Sequence, residues 1–141
     1  MIKKDTLRFY NAHFESFKVD LINFKADFSS FKRVVNKVKL AYIAQKEQSN
    51  TLINHILKSP YKVIICGDFN DTPLSYAYNK IKGDLIDSFA YCGTGIGESF
   101  VNIPTLRIDY IMHDQSIMSY NYIKHKKILS DHYAISCDIK L

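Results

Sequence analysis

The run Val63-Ile64-Ile65-Cys66, closed by Gly67 and followed by Asp68-Phe69-Asn70-Asp71, constrains this chain more than any other stretch. Four apolar residues rich in β-branching and ended by a glycine read as a buried strand. In α/β sheets the crevice beyond the carboxyl ends of strands is where ligands bind. Asp68 and Asn70, two positions apart, project the same way where the extended geometry persists. A carboxylate beside a neutral amide offers oxygen ligands to a hard cation or a phosphate-bound water. The same residues also read as a strand followed by an Asx-type turn, because Asp and Asn hydrogen-bond their own backbone.

The flanking segments supply the layers such a strand needs. Thr6 to His13 is enriched in aromatic and apolar residues and reads as a strand whose odd positions run from Leu7 and Phe9 to Asn11 and His13. Glu15 to Phe28 has no clean period and reads as a connector. Asp27-Phe28-Ser29-Ser30 then offers capping residues. Behind them Phe31, Val34, Val35, Val38, Ala41, Tyr42, Gln45, Ser49, Leu52, Ile53 and Ile56 keep helical spacing. This predicts one helix of about thirty residues, or two with a weak point near Ser49-Asn50-Thr51, serving as cover for one sheet face. Ser59-Pro60 ends it.

Thr72-Pro73 begins a short helix with Leu74, Tyr78 and Ile81 facing inward and Gly83 closing it. Asp84 to Tyr91 reads as a second short helix or an irregular segment. The glycine-dense Gly93 to Gly97 is a loop, and lacks the Lys-Ser/Thr pair of a P-loop. Strands are predicted at Glu98–Val101 and Arg107–Met112 around a turn at Pro104. In the second, Arg107, Asp109 and Ile111 share one face, and a charge in so apolar a strand needs a partner if buried. An edge strand from Met118 to Ile123, the basic loop Lys124 to Lys127 and a half-buried strand from Tyr133 to Ile139 complete a mixed α/β layer structure.

Composition narrows the function classes. The 141 residues are one ordinary domain in length, 47% hydrophobic, which excludes a disordered chain. No run of about eighteen apolar residues exists to span a bilayer. The start Met1-Ile2-Lys3-Lys4-Asp5 has no apolar stretch behind it and does not read as a signal peptide. Three widely spaced cysteines argue against a disulfide framework and a Cys-rich zinc site, which makes a reducing compartment the default. The net charge of +5 is uneven: up to Pro60 eleven Lys/Arg face five Asp/Glu, and from Tyr61 eight face nine. The basic helix face can attract a nucleic acid, but lysines on a helix more commonly mark its solvated outer face.

Taken in order, Asn11-Ala12-His13, Gly67-Asp68-Phe69-Asn70, Arg107-Ile108-Asp109-Tyr110-Ile111 and Ser130-Asp131-His132 resemble the endonuclease/exonuclease/phosphatase superfamily, the DNase I-like group of metal-dependent phosphoesterases. The likeness runs from about Leu7 to the end of the chain and matches the C-terminal half of that domain. It implies half of a four-layer α/β sandwich with one long and one or two short helices. It also implies hydrolysis of a phosphodiester or phosphomonoester by an activated water, with Mg²⁺ or Mn²⁺ as cofactor.

By this resemblance Asp109 and His132 pair, Asp68 and Asn70 orient the water and the phosphate, and Asn11 and His13 contact the phosphate. Asp131, with Asp68, would be a metal-site carboxylate. The proton acceptor stays open between Asp68 and His132. The family's first half contributes a metal-binding Glu and an early Asn, which six residues ahead of Leu7 cannot hold. The expectation is therefore a fragment that binds Mg²⁺ weakly, is inactive alone, and either meets its missing half or forms a homodimer through a bare sheet face. Two other readings serve the same motifs: a non-catalytic binding or assembly module, and a phosphatase of lipid or sugar phosphates.

Overall fold

The computed structural model describes residues 6–17 and 27–141. The charged start Met1–Asp5 and most of the connector between Glu15 and Phe28 lie outside the described residues. In chain order the elements are β1 (Leu7–His13), α1 (Phe28–Leu57), β2 (Lys62–Asp68), α2 (Tyr76–Lys82), β3 (Ile86–Asp87), α3 (Ser88–Cys92), β4 (Asp109–His113), β5 (Met118–Lys124) and β6 (Ile135–Lys140). One mixed sheet has the order β1-β2-β4-β3, with β1 and β2 parallel and the other pairs antiparallel. β5 and β6 form a separate antiparallel pair. Among the described residues no helix is long and apolar enough to cross a membrane.

The alternation of β2 and β4 divides the core. Val63, Ile65, Tyr110 and Met112 turn to one face, where they pack with Ile56 of α1, Ala77, Tyr78 and Ile81 of α2, and the rings of Phe14 and Phe69. Ile64, Ile111 and His113 turn to the other face and are also buried. There β5 lies against β4 and α3: His113 Nε2 meets Ser119 Oγ at 2.9 Å, and Cys92 Sγ lies 3.8 Å from the same hydroxyl. The second sheet face is thus not bare over β2 and β4, contrary to expectation, because the β5–β6 pair folds back over it. Exposure persists on the edge strand β1, where Phe9 is 63% accessible. The three cysteines are free thiols.

α1 is a single helix of 30 residues, and Asp27 caps it by accepting from the Ser30 backbone N–H. Ala41, Gln45, Ser49 and Ile56 of its predicted stripe are buried, but Phe31, Val35 and Tyr42 are exposed. The reason is length. Thirty helical residues rise about 45 Å, and a seven-residue strand spans only about 23 Å, so the N-terminal half of α1 overhangs the sheet. α2 begins later than predicted because Ser75 caps it, accepting from Tyr78 N at 3.1 Å. Leu74 is left in the preceding turn and is exposed, not inward.

Two further expectations are corrected. Glu98–Val101 is not a strand: only Phe100 pairs, in an isolated bridge to His132. Arg107 does not share the surroundings of Asp109, because β4 starts at Asp109 and the two-residue alternation does not reach back to it. Its guanidinium is buried between the rings of Phe89 and Tyr110, each centroid 4.8 Å away, and Nη1 bonds Asp87 Oδ2 at 2.6 Å. Tyr78 donates to the same carboxylate oxygen at 2.7 Å. Burial and the adjacent Asp87 push the Tyr78 hydroxyl up to about 12, so it stays protonated as a donor.

In the β1–β2 ladder Gly67 stands opposite Ala12 with no room for a side chain between them. Its φ of 148° disfavours any other residue, and a Cβ there would lie 1.8 Å from the Ala12 carbonyl oxygen. Gly67→Ala should therefore cost at least about 3 kcal/mol, in the upper range for one substitution. Denaturant unfolding checks this; a loss within about 1 kcal/mol would show that the strands part without penalty.

Candidate active site

The register of the mixed sheet brings three chemically active side chains into one row. His13, the last residue of β1, stands opposite Asp68, the last of β2, and Asp68 stands opposite Asp109, the first of β4. Directly opposed residues present their side chains on the same face. Nε2 of His13 lies 3.6 Å from Asp68 Oδ2. His13 is 77% exposed at its side chain, whereas Asp68 and Asp109 are 18% and 17% exposed. Asn11 sits further back along β1, opposite Cys66, and is exposed.

Beyond Asp68 the chain makes an Asx turn, and the turn is part of the site. Asp68 Oδ1 accepts from Asn70 N at 2.7 Å, and Oδ2 accepts from Asn70 Nδ2 at 2.9 Å. Asn70 adopts the left-handed conformation with φ 50°, which asparagine tolerates better than most residues. Its Nδ2 also donates to Phe14 O at 2.9 Å. One amide therefore ties the loop after β2 to the loop after β1.

His132 enters from the segment before β6. Its Nδ1 lies 2.7 Å from Asp109 Oδ2, and its Nε2 points to the row, 4.0 Å from Asp68 Oδ2. The ring of Phe100 meets the imidazole edge-on, with centroids 5.3 Å apart. A carboxylate on Nδ1 holds its proton there and leaves Nε2 of the neutral ring as the acceptor.

The charges are coupled. Burial pushes the Asp68 carboxyl up; the Asn70 N–H opposes this and the nearby Asp109 adds to it. At His132 burial disfavours the imidazolium, but the bond to Asp109 and the fields of Asp109, Asp68 and Asp131 outweigh it, so its value stands above that of an ordinary histidine.

Asp68, Asp109 and His132 each offer a ligand atom within 4.8 Å of the others. The donor chemistry suits a hard divalent cation. Two carboxylates opposed across a strand pair repel, and a cation between them relieves that repulsion. His132 already occupies one oxygen of Asp109, so the carboxylates and not the imidazole are the natural cation donors. Asp131 is exposed and outside this group of three. Beside the row opens a cleft of about 300 Å³, where Asn70, Asp131 and His132 face an apolar wall of Phe100, Ile103 and Leu106.

Two supporting residues escaped the sequence reading. Gln45 of α1 is 1% exposed; its Nε2 donates to Glu15 O at 2.8 Å and Asn70 O at 3.3 Å, so the helix holds both site loops and is more than cover. A glutamine on the apolar stripe was the available signal. Ser99 is wholly buried, and its Oγ accepts from both Ile108 N and Asp109 N at 3.0 Å. Nothing in the sequence distinguishes it from an ordinary loop serine.

Residues 32–132 match the Endonuclease/Exonuclease/phosphatase family. Among solved structures the fold resembles a mannosyl-6-phosphatase of Bacteroides thetaiotaomicron, with 20% identity and a TM-score of 0.53 over 73% of this chain and 47% of that one. The human Nocturnin catalytic domain with bound sulfate gives 15% identity and a TM-score of 0.58, over 92% of this chain and 45% of that one. A family protein of Bacteroides vulgatus gives 23% and 0.58, over 71% and 45%. The chain thus spans just under half the length of each of these. No curated protein matches it. With three site segments aligned by the register of one sheet, His132 joined to them through Asp109, and most of its length matched, the chain belongs to the Endonuclease/Exonuclease/phosphatase family.

Proposed function

We propose that these residues form the nucleophile-activating part of a metal-dependent phosphoester hydrolase. The observation that carries this reading is the His132–Asp109 contact at 2.7 Å, with Nε2 of the same ring turned toward Asp68. Family membership and the likeness to a mannosyl-6-phosphatase favour a phosphoester as substrate.

In this reading the phosphate lies over the row of His13, Asp68 and Asp109. Asp68, braced by Asn70, orients the attacking water. His132 Nε2 takes the water's proton as its oxygen bonds to phosphorus and the bond to the leaving oxygen breaks. Asp109 keeps the imidazole in the tautomer that can accept, and stabilises the imidazolium that forms. His13, exposed and adjacent, hydrogen-bonds a phosphate oxygen as charge develops. Asp68 and Asp109 would hold Mg²⁺ or Mn²⁺, which would neutralise phosphate charge. The organic part of the substrate rests in the cleft against Phe100, Ile103 and Leu106. Further metal ligands come from the portion of the domain that the related structures have and these residues do not span.

Three outcomes test this. In an active form of the protein, Asp109→Asn should lower turnover of a phosphoester by about 10³ to 10⁴, by analogy with loss of the orienting carboxylate in serine hydrolases. A variant with normal turnover per folded molecule and only a lowered melting temperature would overturn the assignment. Because His132 must be neutral to accept a proton, the rate should rise with pH through a midpoint above about 6.5, the ordinary histidine value. Removing Asp109 should move that limb to lower pH. For stability the sign is opposite: the Asp109–His132 contribution is full below the unfolded histidine value and fades as pH rises through the folded one. Finally, a polypeptide of these 141 residues should bind Mg²⁺ no more tightly than about millimolar, since two carboxylates alone hold a well-hydrated ion weakly. Isothermal titration showing a micromolar site would refute this division of ligands.

A further inference from the structure

Asp109 and His132 belong to different sheets, and no strand ladder joins them. Asp109 opens β4 of the mixed sheet, and His132 precedes β6 of the two-stranded one. The join is made by residues 99–101. Ser99 N and Phe100 N both donate to Leu106 O, at 3.0 and 3.1 Å, which folds this segment back along the approach to β4. Ser99 Oγ then receives the N–H groups of Ile108 and Asp109. On its other side Ser99 O accepts from Tyr133 N at 2.7 Å, and Val101 N donates to Asp131 O at 2.8 Å. Phe100 bridges His132 between them.

From this geometry we infer that Ser99 is a positioning residue for the Asp109–His132 pair, its hydroxyl fixing the backbone of the acid and its carbonyl the backbone beside the base. Among the described residues around the site, it alone is bonded to the main chain at both partners: at Asp109 itself and at the residue following His132. A charge-assisted contact of 2.7 Å has little slack. Freeing the Asp109 N–H by a few tenths of an ångström loosens the bond that sets the imidazole tautomer. Removing the hydroxyl also leaves two N–H groups in the interior without an acceptor, a cost that any buried serine of this kind would show. The test must therefore read the pair and not stability alone.

The kinetic part of this inference rests on the hydrolase reading; the structural part does not. The His132 Nδ1 proton, held by a carboxylate, should give a downfield, slowly exchanging signal in ¹H–¹⁵N spectra. Ser99→Ala should speed its exchange about tenfold or abolish the signal, and Ser99→Thr, which keeps the hydroxyl, should retain it. In an active form, Ser99→Ala should lower kcat about tenfold at unchanged KM, the pattern of a misplaced catalytic group. If the alanine variant does not fold, Ser99→Cys keeps the shape with a far weaker acceptor and should show the same loss. A folded Ala or Cys variant with the unsubstituted signal and exchange rate, and only a lower melting temperature, would overturn the inference. Failure of the hydrolase reading would appear differently, as no turnover by the unsubstituted protein with the signal still lost in Ser99→Ala.

Discussion

The structure depends on how closely two parallel strands approach each other. At Gly67 the backbone of β2 lies so near the Ala12 carbonyl that no side chain fits between them. That contact fixes the β1–β2 register, and the register sets His13 opposite Asp68. The antiparallel partner β4 then sets Asp109 on the far side of Asp68. A slip of one residue in either pairing would turn these side chains to the opposite face. A feature of packing, the absence of one methyl group, therefore determines the spacing of the chemistry.

Burial of charge is handled in two ways on the two sides of β4. On the core side Arg107 is fully compensated: Asp87 bonds it, Tyr78 bonds Asp87, and aromatic rings enclose the guanidinium. On the site side the compensation is deliberately incomplete. Asp68 and Asp109 oppose each other with His13 and His132 beside them, and the Asp68 carboxyl is pushed upward, by burial first and by Asp109 in addition. Closed networks confer rigidity, and open ones retain affinity for an outside ion or substrate. The rigid side supports the reactive one through Ile108, the single residue between Arg107 and Asp109.

Much of this was legible from local pattern. The β2 strand announced itself by β-branching and a terminal glycine, and α1 by spacing and its Asp27 cap. Asp68, Asn70, Asp109 and His132 were readable as a set through the resemblance of four ordered motifs to a known family, not through local pattern. What could not be read depends on tertiary context. Phe31 and Val35 keep helical spacing yet are exposed, because helix length and sheet width are not related locally. Glu98–Val101 has strand composition, but its backbone donors go to Leu106 and Asp131 and not to a neighbouring ladder. Ser99 and Gln45 carry no motif, and their importance lies entirely in which distant N–H or carbonyl they reach.

The parallel pairing of β1 with β2 also has a kinetic consequence. The two strands are separated in sequence by the whole of α1, so their ladder closes only after the chain between them has been ordered. Helical turns form from local contacts within microseconds, whereas such non-local pairing is slow. The capped helix is thus the early event, and the meeting of β1 with β2 comes late in folding. His13, Asp68, Asp109 and His132 come from four separate stretches of the chain, and Asp68 faces His13 only once that late ladder has closed. A partly folded chain would then contain the helix and little of the site, and the appearance of the site would report that folding is complete.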